Sequence, residues 1–273
     1  MTRLKAEDLH SSLANMVGYN EKMLQILGRG YLELASYALG IDAKIIREKT
    51  GFLRVGIVPV SSGDGIILGF SQLLSEISSF LGFESKILMP DDKGFLQAKE
   101  ELYDIILWAD DDTYLAENVQ HSFAAENGWA TGLGFAAALD CMRKINGSPQ
   151  RAMVLGAGPV GASAAQYLDQ RGYQVVLCDK EYEKSVYCAR TLKNCLPVDW
   201  KELENFAPYH CVVDAAPSDT RYIEKYLAKN PCIAAPCVPC HWTENPQRFP
   251  MCYHDPLQLG TSVMLLSAAM LTR

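Results

Sequence analysis

Apolar positions recur at helical spacing through the first 50 residues. Leu24, Ile26, Leu27, Tyr31 and Leu34 mark the face and Gly40 a stop, so this stretch predicts helices. From Arg54 the period changes. The β-branched run RVGIVPV predicts a strand, SSGDG a turn, and IILGFSQLLSEISSFLGF an amphipathic helix closed by glycine. The same alternation repeats as SKILMP with DDKGFLQAKEEL, then as DIILWA with the acidic loop DDDT. A small parallel sheet of strand–helix units is therefore expected in the first half.

Helical patterning from Trp129 to Ile145 runs into NGSPQ, read as the domain boundary. Beyond it RAMVLG restarts the strand–helix alternation, with further strands at QVVLCD, YHCVVDAA and PCIAA and a final helix at TSVMLLSAAML. The predicted fold class is α/β. Residues 1–148 are expected to form a smaller N-terminal α/β substrate domain with a helical start, and residues 149–273 a Rossmann-type domain. A cleft is expected between the two, and the final helix can pack back on the first domain.

Composition narrows the function classes. The chain has 273 residues, 49% hydrophobic and 21% charged, as ordinary globular proteins do. With 25 Lys and Arg against 32 Asp and Glu the net charge is −7, which gives no electrostatic reason to track a phosphate backbone, so nucleic acid is not an expected partner. No apolar run approaches the ~20 residues that span a bilayer, and MTRLKAEDLHSSL lacks the apolar core of a secretory signal. The expectation is a cytoplasmic protein without a membrane partner, assembled as a homodimer.

The 9 cysteines are odd in number and sit mostly in apolar runs, as reduced thiols do. Cys232, Cys237 and Cys240 have C-x4-C-x2-C spacing, and His241 or Cys252 would be available as a fourth metal ligand. Pro236 and Pro239 fit a turn after the strand PCIAA, and no metal is expected.

Gly156-Ala157-Gly158-Pro159-Val160-Gly161 matches G-x-G-x-x-G, follows a strand and opens a helix, and Asp179 closes the next strand. Gly156 permits the turn, Gly158 lets the backbone approach a pyrophosphate, and Gly161 lets helix and sheet pack closely. Pro159 suits the first helical turn. Asp179 would hold ribose hydroxyls and repel a 2′-phosphate, which favours NAD over NADP. Ala216 and Pro217, after the strand ending at Asp214, are small enough to border the cofactor.

Two loops of the first half carry substrate chemistry. Ser61 and Ser62 sit in SSGDG, where hydroxyls and backbone N–H groups can hold an oxygen. Asp110, Asp111 and Asp112 follow an apolar strand, and adjacent carboxylates call for a cation such as a substrate ammonium. The competing reading makes Asp112 or Thr113 a helix cap. Asp255, before the final helix, either caps it or reaches the cleft, and a lone His254 reads as structural.

VGIVPVSSGDGII, Met89-Pro90-Asp91, ILWADDDTYLAEN, PLQLGT and VLGAGPVG, in the same order over nearly the whole chain, resemble the pyrrolysine synthase family. The resemblance implies NAD-dependent oxidation of the terminal amine of L-lysine-Nε-3-methyl-D-ornithine, a cationic isopeptide. Loss of ammonia and ring closure with elimination of water would then give pyrrolysine. It further implies that Asp110, Asp111 and Asp255 face the substrate amines as catalytic and binding groups. Ser61 and Ser62 would line the pocket, and Leu4 would lie on a covering N-terminal helix. The family pattern has Glu where this chain has the shorter Asp255. The alternatives on the residues alone are another NAD-dependent amine or amino-acid dehydrogenase or a cyclodeaminase, and a non-catalytic NAD-sensing regulator.

Overall fold

The computed structural model describes residues 16–63 and 65–270, so Leu4 and Asp64 lie outside the described residues. The described residues pack as two units, one from Met16–Lys22, Gly30–Ala130 and residues 256–270, the other from Met23–Arg29 and Thr131–Asp255. Helix α1 (Met16–Leu27) crosses the first division.

In the first unit, α2 (Tyr31–Leu39) ends at Gly40, whose left-handed φ of 70° is the expected stop. Helix α3 (Ala43–Thr50) is capped by Asp42, which accepts the Lys44 N–H at 2.8 Å. Then follow β1 (Arg54–Pro59), α4 (Phe70–Phe80), β2 (Glu84–Ile87), α5 (Asp91–Glu100), β3 (Ile105–Ala109), β4 (Tyr114–Asn118) and β5 (Phe123–Glu126). The sheet order is β2-β1-β3-β4-β5. Val55, Ile57 and Val58 of β1 are buried, as a central parallel strand covered on both faces requires.

The all-parallel expectation for this sheet holds only for β1, β2 and β3; β3–β4 and β4–β5 are antiparallel. YLAEN is a strand because Tyr114, Ala116 and Asn118 alternate into the core, with the buried Asn118 amide donating to the Ala268 carbonyl at 2.9 Å. The helix expected from Ile66 starts only at Phe70, after Gly69 turns the chain at φ 84°.

Helix α6 (Asn127–Asn146) crosses the second division. From Thr131 onward it packs with the second unit: a Cβ on Gly132 would lie 2.1 Å from the Val160 carbonyl oxygen, and Phe135 meets Tyr253 at 5.5 Å. The division thus falls inside the helix, where its packing partner changes, whereas NGSPQ marks only the helix end.

The second unit continues with β6 (Arg151–Leu155), α7 (Pro159–Gln170), β7 (Gln174–Cys178), α8 (Tyr182–Ala189), β8 (Cys195–Pro197), β9 (Tyr209–Asp214), β10 (Leu227–Ala234) and β11 (Cys252–Tyr253). All pairs are parallel, in the order β11-β10-β9-β6-β7-β8. Counted from β6, this is the doubly wound order of dinucleotide-binding sheets, which reverses between β6 and β9. Its core gathers Met153, Leu155, Val176, Val212, Ile233, Trp242 and Phe249, the last two edge to face at 5.2 Å.

The chain then returns to the first unit through α9 (Gln258–Ala269), buried along almost its whole length and packed on α2, β4 and β5. Thr261 shares a 2.8 Å hydrogen bond with the buried Tyr114 hydroxyl. Among the described residues no helix is long and apolar enough to cross a membrane.

Candidate active site

In the second unit the sheet reverses beside the glycine loop, the position where doubly wound folds place ligands. Gly156 has φ 89°, and a Cβ there would lie 2.9 Å from the Ala215 carbonyl oxygen; the loops after β6 and β9 therefore touch backbone to backbone. A Cβ on Gly161 would lie 1.9 Å from the Gly156 carbonyl oxygen, so helix and loop are as close as they can be. Gly158 differs: nothing stands within 4 Å of its Cβ position. The loop is closed where the fold needs closure and open where a pyrophosphate would approach α7, whose first turn contains Pro159.

Asp179 lies at the end of β7 and folds back on this loop. Its Oδ2 accepts the Ala157 N–H at 2.6 Å and its Oδ1 accepts the Glu181 N–H at 2.9 Å. A carboxylate has about four lone-pair sites, so acceptor capacity for ribose hydroxyls remains. Val160 follows Pro159 in the same turn.

Asp214 shapes the facing loop. Fully buried, it accepts the Trp242 Nε1–H at 2.7 Å, the Thr220 hydroxyl, and the Ala216 N–H at 3.2 Å. Burial raises its pKa, against the hydrogen bonds from Thr220, Trp242 and Ala216. Ala216 and Pro217 are thereby held on a rigid support. Asp255 also belongs to this unit; it is buried and accepts the Tyr253 hydroxyl.

In the first unit the ends of β1 and β3 bring the serine and aspartate loops together. The Ser61 N–H and hydroxyl donate to Asp91 at 2.8 and 2.7 Å. These bonds, the backbone one first, hold the Asp91 carboxyl below the usual carboxylate range. Gly63, at φ 68°, lies under Asp111, because a Cβ there would be 1.9 Å from Asp111 Oδ2. Ser62 is exposed, and its carbonyl accepts the Gly65 N–H at 3.3 Å.

Asp110 Oδ1 accepts the N–H groups of Asp112 and Thr113 at 2.9 and 2.7 Å. The DDDT loop is thus the turn of the β3–β4 hairpin, with Ala109 paired to Tyr114. This corrects the reading of Asp112 or Thr113 as a helix cap: no helix begins there, and the capping role falls to Asp110 within a turn. Asp110 keeps one carboxylate oxygen outside those turn bonds, and Asp111 stands over the neighbouring glycine.

Two residues of these loops escaped sequence reasoning on the chain itself. Asp91 looks like an ordinary acidic first-turn residue of α5, and only the fold brings it to Ser61. Trp242 lies 28 positions from Asp214 and carries no local signal.

A Rossmann unit with a closed glycine loop and a carboxylate at the end of its second strand defines the dinucleotide-binding class of doubly wound folds. Shikimate 5-dehydrogenase from Thermus thermophilus, solved in complex with NADP(H) and shikimate, resembles the chain in fold: TM-score 0.51, 16% identity, 80% of this chain and 92% of that one. The family model described as "Pyrrolysine biosynthesis protein PylD, N-terminal domain" matches residues 11–125. The pyrrolysine synthases of Methanosarcina barkeri and Methanosarcina acetivorans are each 32% identical over 217 residues. These alignments cover 78% of this chain and 80% and 82% of the relatives. The chain belongs to the pyrrolysine synthase family.

Proposed function

We propose that this chain is an NAD-dependent amine dehydrogenase that completes pyrrolysine biosynthesis from L-lysine-Nε-3-methyl-D-ornithine. The observation that carries the redox half is the glycine loop, tight at Gly156 and Gly161 and open at Gly158, with Asp179 folded onto it. Family membership supports the substrate. Gly156, Ala157, Gly158, Pro159, Val160, Gly161, Asp179, Ala216 and Pro217 would hold the dinucleotide, which when bound supplies a hydride acceptor. The carboxylate at Asp179 supports NAD rather than NADP, since a 2′-phosphate would meet a like charge.

An amine carbon gives up hydride only when its nitrogen lone pair is free, so an ammonium substrate must first lose a proton. Asp110 and Asp111 are suited to take it, since each is a carboxylate held by its own loop, one by two backbone N–H groups and the other above Gly63. They bind and orient the cationic end. Ser61, tied to Asp91, and Ser62 offer hydroxyls along the same loop. The imine that forms takes up water, releases ammonia and leaves an aldehyde, which condenses with the neighbouring α-amine and expels water to close the ring.

The test is to mix the purified protein with NAD and the synthetic isopeptide and follow NADH absorbance while mass spectrometry seeks the pyrroline product. NADH formed together with pyrrolysine supports the proposal. NAD binding without either product would leave the dinucleotide site standing and refute the substrate.

A further inference from the structure

The glycine loop would meet the pyrophosphate of a dinucleotide and Asp179 its ribose, but neither offers a surface to the flat adenine base beyond them. Two half-exposed aromatic side chains gather beside these groups. Trp200 follows the end of β8 and Tyr222 lies in the connection after β9, and each is 47% exposed. Their rings meet at 6.5 Å with planes 77° apart. In the sheet order β9-β6-β7-β8 two strands separate the elements that carry them, and those two run into the glycine loop and Asp179. The contact between Trp200 and Tyr222 therefore spans the strands that present both groups.

Both side chains belong to the carboxyl edge of this sheet. The Val198 N–H donates to the Leu177 carbonyl at 2.9 Å, so Asp199 and Trp200 leave the sheet level with Asp179 on the neighbouring strand. Asp199 caps the 3-10 turn Trp200–Phe206 by accepting the Lys201 N–H at 2.9 Å, which fixes where Trp200 starts. Tyr222 stands two residues past Thr220, whose hydroxyl donates to Asp214 at the end of β9. Leu203 of the first turn and Ile223 of the turn Arg221–Tyr226 sink into one core cluster with Leu155 and Cys178, so both turns cover the same face.

We propose that Trp200 and Tyr222 form the adenine subsite of the dinucleotide, an inference that rests on the glycine loop and Asp179 holding the rest of that ligand. Two rings near a right angle make a corner, in which a base stacked on one ring meets the other edge to face, as aromatic groups prefer. The core beneath is filled by the fully buried Leu203 and Ile223, which leaves the outer surface of the two rings for a ligand. Lys201 Nζ lies over the Trp200 ring at 5.7 Å, on an exposed flexible stem that a base can displace. Stacking of this kind adds affinity through the adenosine half alone.

Binding of NAD, ADP-ribose and nicotinamide mononucleotide to the full-length protein separates the two halves of the ligand, by calorimetry for the first two and saturation-transfer NMR for the third. Trp200→Ala and Tyr222→Ala should each weaken NAD and ADP-ribose about tenfold, as loss of a stacking ring does, and leave nicotinamide mononucleotide within about twofold. ADP-ribose should quench the tryptophan emission of the wild type. Trp200→Phe should lose most of that quenching yet keep affinity within about threefold, because a ring remains to stack on. Unchanged NAD affinity in both alanine variants, an equal loss for nicotinamide mononucleotide, or quenching that persists in Trp200→Phe would overturn the adenine subsite alone. A wild-type protein that binds neither NAD nor ADP-ribose would overturn the dinucleotide site together with it.

Discussion

Two glycines of one loop should fail in opposite ways. At Gly161 an added methyl would lie 1.9 Å from the Gly156 carbonyl oxygen and 2.8 Å from its carbon, both backbone atoms. An ordinary contact needs about 3.4 Å, so α7 and the loop must part by more than an ångström, a change that overpacked sites resist by about 1–3 kcal/mol. Gly161→Ala should therefore lower Tm by several degrees, at roughly 2–4 °C per kcal/mol for a chain of this size. It should also weaken NAD by at least about tenfold, because the N–H groups of the first helical turn move with the helix. At Gly158 the methyl meets nothing, and φ −72°, ψ −175° is open to any residue. Gly158→Ala should leave Tm within about 2 °C, yet place a methyl where the pyrophosphate must come. Differential scanning fluorimetry and NAD titration by calorimetry separate the two effects. Wild-type NAD affinity in Gly158→Ala, or an unchanged Tm in Gly161→Ala, would refute the assignment of these roles.

Further outcomes follow from the same contacts. Asp110→Asn keeps an oxygen for the Asp112 and Thr113 N–H groups, so turnover should fall at least about tenfold with Tm unchanged; a loss of Tm instead would make the residue purely structural. Asp214→Leu leaves the Trp242 N–H and Thr220 hydroxyl buried and unpaired, a cost of about 2–6 kcal/mol at ~1–3 each, whereas Asp214→Asn should fold; urea melts compare them. Asp179→Ala should raise the KM for NAD and relax discrimination against NADP, and an unchanged preference would remove it from the ribose contact. The pKa of Asp91 is lowered in the fold, so its tie to Ser61 is fully present above the unfolded value of about 3.9 and is lost as pH falls through the lower folded value. The Tm gap between wild type and Asp91→Asn should hold steady from pH 8 to 5 and close only below about pH 4.

What could be read from the chain was what local pattern encodes. The glycine fingerprint was legible because its turn, helix start and trailing carboxylate all lie within one short strand–helix–strand stretch, Gly156 to Asp179. The parallel strands β1, β3, β6 and β7 announced themselves as apolar runs, since both faces are covered. YLAEN and FAAE hid because strands of 5 and 4 residues with intermittent burial leave no continuous apolar run to mark them. The pairing of Ser61 with Asp91 and of Asp214 with Trp242 joins residues 30 and 28 positions apart. No periodicity reports such meetings; they follow from sheet order, which decides which loops end up side by side.

The return of α9 to the first unit has a consequence for synthesis on the ribosome. The sheet β1–β5 is complete in sequence by Glu126, but Thr261 and Ala268, which bond Tyr114 and Asn118, emerge some 135–142 residues later. At about 5–20 residues per second the nascent first unit waits roughly 7–28 s for its own last helix. Over the same interval the whole Rossmann sheet emerges and is free to fold. The first unit would therefore be exposed longest to proteases and chaperones, and a circular permutant that encodes α9 ahead of α2 would let it close during translation.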